Sequence, residues 1–283
     1  VYDESIEDYE ESILRSPDFP TVHRNLALAY YNVKKLPQRA YEEMEKAFAL
    51  DETDARVYLE LDQLKKRLNV AVKERWSDME KHFDLVESRD DLYLEYVTLL
   101  NTLGEPEKAL GLIKARKFHQ WEGGEGKVAA QYLTALYQLA KAAVEKEDYA
   151  EAKELLLRAV GEYPHNLGEG KLESGQENNL YYLLGLVQEK LGEAKDAFES
   201  LTRACCGESE PVGMMYYNDQ PPEMIYYQGL AYRMLGEEEQ AVRRFQKLVD
   251  YGREHIRDDV KIDYFAVSLP CLLYTSDAAD ERS

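Results

Sequence analysis

The sequence predicts an all-α solenoid of stacked helix pairs, and three observations carry that prediction. Gly104/Ala109, Gly192/Ala197 and Gly236/Ala241 repeat one punctuation: a glycine closes a helical run and an alanine follows five residues later, inside the next run. Apolar residues on both sides of these marks recur at helical spacing. The alanines themselves recur along the chain as anchors of successive units. Repeat arrays of this kind hold other molecules far more often than they catalyse reactions.

Taken in order, residues 1–19 read as a truncated unit, with Ser5, Tyr9, Ser12 and Pro17 at the positions of a second helix and its terminating proline. The unit at 20–53 carries Leu26-Ala27-Leu28-Ala29-Tyr30, then Ala40, Met44, Ala47 and Leu50. Ser5 and Ala40 stand 35 residues apart, and Ala40 and Ala109 stand 69 apart, which is two such steps. A degenerate unit therefore fills 54–89, with helices at 55–68 and about 73–87. The unit of Ala109 spans 90–118. The spacing then lengthens to 43, 45 and 44 residues, at Ala152, Ala197 and Ala241, in units spanning 119–167, 168–207 and 208–255. The first has Leu136, Leu139, Ala140 and Ala143, then Leu156, Ala159 and Pro164. The second runs through Asn179–Leu186 to Phe198, Leu201 and Ala204, and the third has Tyr226, Gly229, Tyr232, Phe245 and Leu248. Residues 256–270 begin a further helix.

The chemistry of these positions is steric. Small residues at Gly185, Gly229, Ala109, Ala197 and Ala241 let helix backbones approach, while Tyr181, Leu184, Phe198 and Phe245 are expected to fill the gaps between successive pairs. Gly104, Gly192 and Gly236 suit the left-handed conformation that ends a helix.

With Asn25-Leu26-Ala27-Leu28-Ala29-Tyr30-Tyr31, the pattern resembles the tetratricopeptide repeat over roughly residues 1–255, with 54–88 divergent. The resemblance implies a right-handed α-solenoid of about six tetratricopeptide-like helix pairs, in a family that binds many unlike partners. A standard unit has about 34 residues, so each later unit carries roughly ten extra. The extras fall where glycine and proline cluster, at 118–127, 163–177 and 206–222. Each of these segments joins a second helix to the next first helix. Equivalent connections of a solenoid lie on one edge, and insertions confined to one edge mark a binding edge.

Composition narrows the partner class. Thirty-five basic against 55 acidic residues give a net charge of −20, which argues against nucleic acid and anionic membrane surfaces and favours solubility. No apolar run is long enough to span a bilayer and no signal peptide is visible, so a cytoplasmic location is expected. Val1 falls inside a repeat, so upstream residues are expected to be missing. Residues 271–283, from Cys271, resemble the translation of a transposase sequencing adapter and are left out of fold reasoning. The adjacent Cys205 and Cys206 make no disulfide framework, which fits a reducing compartment.

Two surfaces stand out. On the insert edge, His119-Gln120-Trp121-Glu122-Gly123-Gly124-Glu125-Gly126 permits a sharply turned loop. Trp121 offers a flat face, and Glu122 and Glu125 are carboxylates of the kind that acid–base chemistry on sugars requires. The structural alternative has Trp121 plugging a groove between helix pairs and the carboxylates capping the helix that starts near Lys127. Tyr216 and Tyr217 belong to the same edge. The second surface is the groove. Tyr137, Tyr182 and Tyr226 share one position on the first helices, which in the resembled family faces the concave side. Arg24 holds that position earlier, Leu94 breaks the series, and Lys141 lies one turn beyond Tyr137. Tyrosines there suit either partner contact or packing between first helices. The groove positions Arg24, Leu28, Tyr137, Lys141, Tyr182 and Leu186 depart from the lysine–asparagine clamp some relatives use for C-terminal carboxylates, so no chaperone-tail binding is expected.

Histidines 23, 82, 119, 165 and 255 show no metal-ligand spacing, and there is no phosphate loop, dinucleotide fingerprint or nucleophile elbow, so neither metal nor cofactor is expected. A narrower resemblance rests on FHQWEGGEGK, DDLYLEYVTLLNTLGEPEKAL and IDYFAVSLP. These are similar to the C-terminal helical tail of a bacterial multidomain family of unknown function. Its N-terminal domain is a β-sandwich related to mutarotases and glycosidases. The resemblance implies that the insert edge packs on such a sister domain. The leading expectation is a non-catalytic module binding a protein or peptide, or a sister domain. The alternative is the tail of a carbohydrate-active protein whose insert loops help form a sugar site on that domain.

Overall fold

The computed structural model describes residues 2–171, 176–212 and 220–258, with the side chains of Tyr2 and Asp3 left aside. The described residues are helical, without strands. Helices α1 to α7 form one compact unit and α8 to α14 a second.

The first unit comprises α1 (Tyr2–Arg15), α2 (Pro20–Asn32), α3 (Pro37–Leu50), α4 (Ala55–Arg67), α5 (Val72–Lys81), α6 (Phe83–Ser88) and α7 (Asp90–Thr102). Proline opens α2 and α3, where its missing N–H costs nothing. The Asp54 carboxylate caps α4 by accepting from the backbone N–H groups of Arg56 and Val57. Ala40, Met44 and Ala47 are fully buried as expected, whereas Leu50 is exposed at the end of its helix. In α1 it is Ile6, beside the expected Ser5, that reaches the core.

Where the sequence places a degenerate unit, α4 is followed by two helices in place of one, α5 and α6, which meet at His82. His82 Nδ1–H donates to the Asp78 carbonyl at 3.0 Å, and its ring packs against Phe48 and Tyr58. Part of the helix–helix seam here is ionic. Arg75 of α5 makes a two-pronged contact with Asp62 of α4, at 2.9 and 2.6 Å, and reaches Glu95 of α7 at 2.7 Å. Burial pushes the Asp62 carboxyl up against the pull of Arg75. Glu95 is also pushed up by burial, but Lys66 and Arg75 outweigh that and hold it below the usual range.

The second unit comprises α8 (Pro106–Ala115), α9 (Lys127–Glu145), α10 (Tyr149–Val160), a 3-10 turn (His165–Leu167), α11 (Asn178–Lys190), α12 (Ala194–Ala204), α13 (Pro222–Met234) and α14 (Glu238–His255). The pairs α9/α10, α11/α12 and α13/α14 stack in chain order. The small positions are used as expected. A Cβ on Gly185 would lie 2.7 Å from Leu201 Cγ, and one on Gly229 would lie 2.4 Å from Phe245 Cε1. The expectation for Phe198 is corrected: its side chain is 64% exposed. The next two turns of α12, Leu201 and Ala204, make the buried seam with Ala231 of α13.

The turn between paired helices is more regular than its glycines suggest. Lys35, Gly104, Glu147, Gly192 and Gly236 each stand five residues before an anchor alanine, and all have positive φ. At Glu147 the φ is 59°, a conformation in which a Cβ crowds the carbonyl. Glu147→Gly is therefore expected to stabilise the protein by about 0.5–1 kcal/mol, the strain relief less the extra chain entropy of glycine. Urea unfolding checks this: the midpoint should rise at an unchanged slope.

Candidate partner-binding surfaces

The first two insert segments fold against each other. The Phe118 N–H donates to the Asn166 carbonyl at 2.8 Å. The Asn166 side-chain amide donates to the carbonyls of Ile113 and Arg116, at 2.8 and 2.9 Å, at the end of α8. Gly168, at φ +78°, lies so close to Phe118 that a Cβ would stand 2.7 Å from its carbonyl oxygen. Phe118 itself is buried. One edge of the second unit thus carries two loops joined into a single body.

On that body, His119, Gln120, Trp121, Glu122, Gly124, Glu125, Val128, Leu167 and Glu169 line a cavity of about 310 Å³. Four of these are the residues expected from the sequence, and the structure brings them together. The expected structural alternatives are corrected for the carboxylates. The carboxylate that caps α9 is Glu169, which accepts from the N–H groups of Gly126 and Ala129 at 2.7 and 2.9 Å. Glu122 and Glu125 are exposed and have no hydrogen-bond or ion-pair partner among the described residues. Trp121, half-buried, packs on its own loop: a Cβ on Gly124 would stand 2.2 Å from indole Cε2. Leu167 and Glu169 were not expected, because they come from the second insert and only the fold places them here. Tyr216 and Tyr217 lie outside the described residues, as do 262–283.

The groove tyrosines assemble around a residue the repeat register did not single out. Tyr227 of α13 brings its hydroxyl to 3.0 Å from that of Tyr137 of α9, and its ring centroid lies 5.9 Å from Tyr182 and 5.6 Å from Tyr226. Burial pushes the Tyr137 and Tyr182 phenols up. These two spend much of their surface on packing between first helices. Tyr226 stays 46% exposed, and the exposed Lys141 holds its ammonium 5.8 Å from the Tyr137 ring centroid. The Tyr226-Tyr227 doublet was the available signal for Tyr227. Arg24 does not join this group. It lies in the first unit, where Glu60 of α4 takes its guanidinium through two contacts, one of them 2.6 Å.

Among the described residues no group of three or more His, Cys, Asp or Glu is placed to hold a metal ion. No described helix is long and apolar enough to cross a membrane. Cys205 and Cys206 are free thiols, and burial pushes that of Cys205 up to about 12.

Residues 137–211 and 223–251 match sequence profiles of the tetratricopeptide repeat. Over these two segments the chain is similar to the tetratricopeptide repeat. The matched segments take in Tyr137, Lys141, Tyr182 and Tyr226, together with the second insert, while the Trp121 loop lies just outside them. Several solved structures are similar at low identity. A chain of the APC/C hetero-tetramer Cut9–Hcn1 is 14% identical with a TM-score of 0.47; the alignment covers 90% of this chain and 44% of that one. This chain thus spans less than half the length of that one. PilW, a type IV pilus biogenesis factor, is 11% identical over 85% of this chain and 95% of its own, with a TM-score of 0.45. YrrB, described as a tetratricopeptide protein with an unusual peptide-binding site, is 16% identical over 89% and 95%, with a TM-score of 0.28.

Proposed function

We propose that this chain is a non-catalytic tetratricopeptide interaction module that holds a protein or peptide partner, or a sister domain, chiefly through its insert edge. The observation that carries this is the two-loop body. The loops are fastened by backbone and amide hydrogen bonds, yet they leave an indole half-exposed and two carboxylates without a partner among the described residues beside a cavity. A rigid loop body bearing unsatisfied groups suits recognition, since little ordering remains to oppose binding. Tyr226 and Lys141 offer a smaller second contact in the groove, with Tyr137 and Tyr182 as its packed support. The carbohydrate reading draws on the same indole, whose face suits a sugar ring; it gives the edge a role in completing a site on a sister domain.

Site-specific photo-crosslinking tests the interaction reading. A photoreactive residue replacing Gln120, at the cavity, should give a discrete adduct in cells that express the protein. The adduct should disappear in the Trp121→Ala background. The same residue replacing Lys190, exposed at the end of α11, should give none. Identical adducts from both positions would overturn the reading.

A further inference from the structure

We infer that the insert cavity receives one cationic side-chain head group, a guanidinium or ammonium, from a basic segment of the partner. This rests on the reading of the insert edge as the contact surface and adds the chemistry of what it takes. Each part of the cavity suits a cation. The indole of Trp121 forms one wall, and an aromatic face attracts a cation placed over it. The Glu122 and Glu125 carboxylates are exposed and unpartnered among the described residues, so they are available for charge-assisted hydrogen bonds to N–H donors. Glu169 adds a third negative charge to the lining, held in place by the N-terminus of α9. Val128 and Leu167, both buried, back the cavity with apolar residues that offer the head group no competing cation. The net charge of −20 draws basic segments toward the chain before contact. A neutral sugar would use the indole but would leave most of this charge unanswered.

The test titrates the full chain with a capped Gly-Gly-Arg-Gly-Gly peptide, following indole emission and calorimetric heat. Expected is saturable binding that weakens about fivefold or more in the Glu122→Gln/Glu125→Gln protein, as for loss of two exposed charge pairs. It should also weaken when salt rises from ~50 to ~500 mM, because the pairs are screened. Trp121→Phe should retain part of the affinity and Trp121→Ala lose it, with circular dichroism unchanged in both. A Gly-Gly-Gln-Gly-Gly peptide that binds as well, or a charge-neutralised protein that binds as tightly, would overturn the inference. So would no binding of the arginine peptide, or saturable binding of cellopentaose in its place. In those cases a persistent Gln120 cross-link would leave the insert edge standing as the contact surface, and only the cationic occupant would fall.

Discussion

Arg75→Ala is expected to destabilise the protein by about 3–5 kcal/mol, the range for removing one member of a buried charge network. The Arg75 side chain is 4% exposed, and it ties α4, α5 and α7 together through Asp62 and Glu95. Without the guanidinium, two carboxylates remain in the same buried seam, with Lys65 acting on Asp62 and Lys66 on Glu95. Arg75→Lys should recover only part of the loss, because an ammonium cannot reproduce the two-pronged contact with Asp62. Urea unfolding of the three proteins checks this, and a loss below about 1 kcal/mol would mean that water replaces the guanidinium without penalty. The prediction concerns the broken network. Replacing the whole triad by apolar residues of similar volume is often neutral or stabilising, so the loss expected for Arg75→Ala measures the two stranded carboxylates and not the net worth of the intact triad.

That triad also explains why the first unit was the least legible part of the fold. Periodicity of apolar residues is read against a polar exterior, and here Asp62, Gln63 and Arg75 are buried. The seam between α4 and its neighbours therefore looks like a surface in the sequence, and the position of the unit had to be inferred from the spacing of Ala40 and Ala109. The break at His82 left no mark in the local sequence, and the rings that pack on its imidazole, Phe48 and Tyr58, come from two earlier helices. Elsewhere the local signals sufficed. Three glycines pointed to left-handed turns, and Lys35 and Glu147 adopt the same turn because the helix pair imposes it. Phe198 misled because an exposed phenylalanine and a seam phenylalanine share the same spacing, and it is Leu201 and Ala204 that are buried with Ala231 of α13.

The candidate site divides along the same line. His119, Trp121, Glu122 and Glu125 were legible because they are contiguous and glycine-rich in context. Their partners Leu167 and Glu169 were not, because the contact crosses more than forty residues and follows from how two inserts meet. Gly168-Glu169-Gly170 falls inside the glycine-rich insert at 163–177. Its carboxylate supplies acceptors to a distant helix N-terminus, a role that local capping patterns do not reveal.

Asn166→Ala is expected to cost about 2–3 kcal/mol, for two side-chain hydrogen bonds whose acceptors lose their partner. Ile113 lies in the last turn of α8, where carbonyls have no helical donor, and Arg116 follows the helix end. The Asn166 amide serves both from fifty residues away. The Ala204 and Cys206 carbonyls at the end of α12 are served in the same way by Asn178, at 2.9 and 2.7 Å. Asn166 thus closes α8 from the connection downstream, which anchors that insert without lengthening the helix, whereas Asn178, the first residue of α11, closes α12 from upstream within its own helix pair. Hydrogen exchange separates this fastening from general stability. In Asn166→Ala, amides of 118–126 should exchange faster while those of α11 and α12 keep their relative protection, and Trp121 emission should shift toward that of solvent-exposed indole. Asn166→Asp, which keeps the size and loses the donor, should behave alike. Equal loosening throughout the second unit would instead make Asn166 an ordinary core residue and remove the reason for treating the two loops as one recognition body.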